Sequence, residues 1–124
     1  MTPSDVKIQK QQKQMALIYK DQAPAYLSFE FLRVHSPSAE VRGHGVGQET
    51  LQVGKKDVLI SQVEPSGNYG IKISFSDGHD SGIFSWEYLY QCAQNQTQMW
   101  DSYLQKLEET NQTRIPSTIS FKAL

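Results

Sequence analysis

Strand-like patterns precede helix-like patterns along these 124 residues, and the two do not alternate. That order predicts an α+β domain: a small, mainly antiparallel β-sheet packed against C-terminal helices in two layers. Two stretches carry most of the prediction. In "NYGIKISF", Tyr69, Ile71, Ile73 and Phe75 alternate strictly with Gly70, Lys72 and Ser74, as a half-buried antiparallel strand requires. The period then changes. Trp86, Leu89, Tyr90 and Ala93 recur at i, i+3, i+4 and i+7, as do Trp100, Tyr103, Leu104 and Leu107, giving two amphipathic helices that part near Asn95.

The remaining elements follow in chain order. Val6 and Ile8 alternate with polar residues, "MALIY" (15–19) supplies a second apolar run, and the two read as a paired N-terminal hairpin. Ser28 is placed to cap a short helix containing Phe31 and Leu32. Residues 36–57 are irregular, broken by Gly43, Gly45, Gly47 and Gly54; a connection that long is functional or mobile. "VLISQVEPSG" is a strand, Asp77-Gly78 is a hairpin turn, and "DSGIFSW" begins the returning strand. A single domain is expected over 1–110, with 111–124 as a flexible tail.

Composition narrows the function. A net charge of −1 and a pI near 6.3 argue against a nucleic-acid partner. The single Cys92 excludes an intramolecular disulfide or a thiolate cluster and reads as a small core residue. No apolar run reaches the length of a membrane span and no signal-peptide core stands at the N-terminus, so the expected location is the cytoplasm, with no membrane partner.

Few residues suggest chemistry. His35, His44 and His79, with the acids Glu40, Asp77 and Asp80, are the ligand types that suit iron or zinc, but their spacing matches no metal motif, and solvated surface histidines explain them as well. In "SDGHDSG" a His lies between two Asp beside a Ser. Neighbours in one tight turn diverge, whereas a triad converges from separate elements, so a turn with solvated acids is the better reading. "GHGVGQETLQVGKK" lacks phosphate-loop spacing, with Lys56 where a hydroxyl should stand.

The segments "LRVHSPSAEV" and "GNYGIKISFSDGHDSGIFSWEYLY" resemble the N-terminal domain of gamma-butyrobetaine hydroxylase and its small bacterial relatives, over about Val6 to Tyr90. In the hydroxylases this domain precedes an Fe(II)/2-oxoglutarate catalytic domain, and similar domains occur fused to ATPases that carry iron–sulfur clusters. The resemblance implies a structural zinc held by three cysteines and a histidine. Those positions fall on Ser36, Ser38, Val41 and His79, so the three thiolates are not retained. Hydroxyls are poor zinc ligands and valine is none. What remains is a loop whose ligands have been exchanged for turn-forming residues, with His79 free to hydrogen-bond.

The expected function is therefore a non-enzymatic cytoplasmic accessory or binding module with a protein partner, linked by analogy to metal-cofactor or iron–sulfur biology. Its expected surface joins the 33–45 loop to the 77–82 hairpin, with Arg33, Glu40, Arg42, His44 and His79. The alternative is an iron- or zinc-binding protein that uses His44 and His79 with a carboxylate, Asp77, Asp80 or Glu40. No cofactor is assigned and no catalytic residue is named.

Overall fold

A computed structural model describes residues 1–43, 45 and 47–117. The fold is α+β, but its strands form two three-stranded antiparallel sheets in place of one. The first comprises β1 (Asp5–Gln9), β2 (Gln14–Ile18) and β3 (Ala25–Ser28), and the second β4 (Ile60–Ser66), β5 (Gly70–Phe75) and β6 (Gly82–Ser85). The helices are α1 (Phe29–Val34), the single turn α2 (Ala39–Arg42), α3 (Trp86–Gln94) and α4 (Gln96–Glu109).

The topology repeats although the sequence does not. Each meander runs straight from its third strand into a helix, and each junction is a serine. Ser28 Oγ accepts from Phe31 N at 3.0 Å, and Ser85 Oγ accepts from Tyr88 N at 3.0 Å. Both serines keep extended backbone, so one residue ends the ladder and caps the helix, worth about 1 kcal/mol each. The third strand β3 and the turn α2 lie in stretches where the sequence shows no periodicity of its own.

One core joins the halves. Met15, Leu17 and Leu27 from the first sheet meet Ile71, Ile73, Phe75 and Phe84 from the second, with Phe29, Phe31 and Leu32 of α1 and Leu89 and Cys92 of α3 between them. The alternation read in 69–76 is observed over β5: Ile71, Ile73 and Phe75 are buried, and Lys72 and Ser74 are half-buried. Tyr69, at the start of that series, is exposed at 58% in the turn. The helix break falls at Asn95, as expected.

Of the segment expected to form a tail, residues 118–124 lie outside the described residues. Its earlier part runs beside 54–56: the carbonyls of Thr113 and Arg114 accept from Gly54 N and Lys56 N, both at 2.9 Å. The Arg114 guanidinium forms a two-pronged ion pair with Glu30 of α1 (2.6 and 2.7 Å) and lies over the Trp100 ring.

Candidate functional site

The site is built where α1 ends, the 36–42 turn begins and the β5–β6 hairpin closes. The hairpin fixes His79 by its backbone. Gly78 takes φ +90°, which favours glycine, Phe75 N donates to the His79 carbonyl (2.8 Å), and His79 N donates to Asp77 Oδ1 (3.3 Å). On the facing side, Ser38 opens α2, its carbonyl accepting from Val41 N and Arg42 N.

These anchors aim the His79 ring at the serine turn. Nε2 lies 2.8 Å from Ser36 Oγ and 3.3 Å from Ser38 Oγ, and Nδ1 lies 3.2 Å from Glu40 Oε2. Ser36, Ser38 and His79 are all buried, whereas the Glu40 side chain is 71% exposed. Burial, and then the positive charge of Arg33, push the His79 pKa down against the opposing pull of Glu40. The imidazole is therefore neutral near pH 7, and the Glu40 contact is a hydrogen bond to a neutral ring rather than an ion pair. The network fits one tautomer: Nδ1–H donates to Glu40, and the Nε2 lone pair accepts from Ser36.

A second cluster backs the first. Arg33 Nε donates to Asp77 Oδ2 at 2.9 Å and Lys55 Nζ reaches the same oxygen at 2.6 Å. Burial alone would raise the Asp77 carboxyl, but hydrogen bonds from Lys55, Arg33 and the His79 backbone outweigh it and hold the pKa at about 2. Arg33, expected at a surface, is buried: α1 carries Phe29, Phe31, Leu32 and Val34 around it, and the guanidinium turns inward onto Asp77.

Each expected site residue can now be placed. Ser36, Ser38 and His79 converge, as the resemblance implies; Val41 is buried in α2. Asp77 bonds the His79 backbone and not its ring, and Asp80 is exposed beyond it. Glu40 and Arg42 are exposed, and His44 lies outside the described residues. His35 belongs elsewhere, its Nδ1–H donating to the Phe31 carbonyl at 2.9 Å and its ring against Phe31 and Tyr103. Among the described residues no three His, Cys, Asp or Glu side chains converge as a metal would need. The residues present do not fit the zinc that the family resemblance implies. Two donors are neutral hydroxyls, the third position is a valine, and both ring nitrogens of His79 already have protein partners.

The order carboxylate–Nδ1, Nε2–hydroxyl is that of a Ser–His–acid triad. Here it cannot work on a substrate. Ser36 is 1% exposed, and its Oγ packs against Gly82 so closely that a Cβ there would collide with it. No carbonyl carbon can approach that hydroxyl, and the arrangement is a structural lock.

Beside the lock lies a cleft of about 640 Å³ between residues 41–42 and 49–52 on one side and the α3–α4 pair on the other, reached by Arg42, whose guanidinium sits 4.9 Å over the Tyr88 ring. Sequence reasoning missed this cleft and the Glu30–Arg114 pair. For the pair there was a signal: Glu30 and Arg33 sit in a run that is otherwise apolar all round, the mark of a buried helix.

The fold and site together define a small α+β module in which a serine loop is bonded to a histidine hairpin. The sequence matches the model of the family "Gamma-butyrobetaine hydroxylase-like, N-terminal" over residues 6–90, and the chain belongs to that family. It is similar to two proteins solved in solution by NMR. One is 45% identical (TM-score 0.81, covering 99% of this chain and 97% of that one), the other 37% identical (TM-score 0.77, covering 98% and 93%). A crystal structure from Acidithiobacillus ferrooxidans, described as a protein of unknown function of the DUF971 family, is 33% identical (TM-score 0.61, covering 73% and 90%). No curated protein matches the chain.

Proposed function

We propose that the chain is a non-enzymatic, cytoplasmic binding module whose partner is a protein, and that the lock sets the shape of the surface presented to it. The observation that carries this reading is the direction of the network. His79, Ser36 and Ser38 are buried and satisfied, and the one exposed member, Glu40, stands on α2 beside exposed Arg42. Buried polar groups of this kind fix one conformation of a turn that apolar packing would leave adjustable. Of the five residues expected at the surface, Glu40 and Arg42 take the contact role, and Arg33 and His79 hold them from behind. A link to metal-cofactor or iron–sulfur proteins rests on the company that similar domains keep.

The test compares the chain with a Glu40→Arg, Arg42→Glu variant in co-purification, with Lys10→Glu as control. The reading expects one stoichiometric partner, kept by the control and lost by the double variant at unchanged melting temperature. A partner retained by the double variant overturns the surface. Stoichiometric iron or zinc in the chain purified without a tag would replace the reading with metal binding.

A further inference from the structure

We propose that the cleft between residues 41–42 and 49–52 and the α3–α4 pair binds a small amphiphilic carboxylate, an apolar body with one anionic headgroup. The volume, about 640 Å³, lies inside the range of about 300–1,000 Å³ common to small-molecule sites. The lining is mixed, with Thr50, Gln91, Asn95, Gln98 and Ser102 among its polar members; its aromatic part is apolar because the phenol oxygens are already spent within the protein. Tyr88 Oη donates to the His35 carbonyl at 2.6 Å, and Tyr103 Oη donates to the Gln52 carbonyl at 2.7 Å. These phenols offer the cleft ring surface, and Leu51, Met99 and Cys92 add to it. Burial pushes the Cys92 thiol up to about 11, so it is protonated and adds no charge.

The charges point the same way. Among the described residues the charged lining side chains are Arg42, Lys106 and Glu49, a net positive set. Neither cation has a carboxylate within ion-pair distance among the described residues; Arg42 rests on the Tyr88 ring instead. An entering carboxylate meets Arg42 and Lys106, neither in an ion pair among the described residues, beside the aromatic and aliphatic part of the lining. This goes beyond the protein-docking reading and shares Arg42 and the lock's Ser36 with it, so Lys106 and Ser102 carry the decisive variants.

The experiment titrates the full chain with decanoate, followed by amide NMR, with decanol as the neutral control. Saturable shifts centred on Leu51, Tyr88, Met99 and Tyr103 are expected, with decanol much weaker. Lys106→Ala alone should lower affinity about threefold, and Arg42→Ala added to it about tenfold in all. Ser102→Trp, an exposed lining position, should fill the cleft and abolish binding while leaving the melting temperature unchanged. Equal binding of decanol, shifts away from the cleft, or no saturation at millimolar decanoate would each overturn the assignment. Tighter competition by a pentapeptide with a free C-terminal leucine than by decanoate would reassign the cleft to protein chain ends.

Discussion

His79 Nε2 and Ser36 Oγ lie 2.8 Å apart across 43 residues of sequence, joining the β5–β6 hairpin to the turn after α1. This bond and its companions from Ser38 and Glu40 tie the turn to the hairpin, beside the Arg33–Asp77 ion pair that ties α1 to it. Ser36→Ala leaves Nε2 with the longer Ser38 contact alone, and should cost about 1–2 kcal/mol in urea denaturation. His79→Ala strands both hydroxyls and opens a cavity, and should cost about 2–4 kcal/mol. If the two variants proved equally stable to the parent, the lock would hold nothing.

The same geometry makes a prediction about metal. Because Ser36 and Ser38 already converge on one histidine nitrogen, sulfur at both positions and at Val41 should reconstitute a tetrahedral site with His79. The triple variant Ser36→Cys, Ser38→Cys, Val41→Cys should take up one Co(II) with the intense visible bands of tetrahedral thiolate coordination. The parent should show none. Weak octahedral absorption in the triple variant would mean that Val41 does not face the His79 ring.

Acid should destabilise the protein in two separate windows. The His79 pKa is lowered in the fold, so the unfolded chain binds the proton more tightly, and stability falls as pH drops below about 6.5. His35 is lowered as well, by burial, and adds to the same window. Asp77, held at about 2 against an ordinary 3.8, contributes stability that is present above 3.8 and lost as pH falls toward 2. Asp77→Asn should flatten the lower window, and His79→Asn should shrink the upper one. Denaturation midpoints at half-unit pH steps separate the two.

How much of this could be read from the chain depended on the range of the interaction. The hairpin around Asp77-Gly78 and the helices meeting at Asn95 were legible, because period and turn chemistry are local. The division into two sheets was not, since pairing partners leave no local trace and β3 is four residues long. Arg33 was misplaced because a charge is ordinarily solvated; only its neighbours Phe31, Leu32 and Val34 showed that the helix has no wet face. The meeting of Ser36 with His79 came through the family resemblance, which marks positions that share a site where spacing does not.

The final prediction concerns Glu30, whose side chain is 7% exposed and whose ion-pair partner, Arg114, arrives 84 residues later. The pair is two-pronged, and its Arg also covers the Trp100 ring, so the segment around 114 ties α1 to α4. Removing the guanidinium leaves a largely buried carboxylate on an apolar helix without its counter-ion. A fully buried pair broken in this way costs about 3–5 kcal/mol; Arg114 is about a third exposed, and solvent can reach the vacated place, so Arg114→Ala should cost about 2 kcal/mol. Neutralising the acid removes the charge that suffers most. Glu30→Gln combined with Arg114→Ala should therefore recover at least half of the loss, a coupling that thermal melts of the four variants measure. Additive losses would show that Arg114 acts only by covering Trp100.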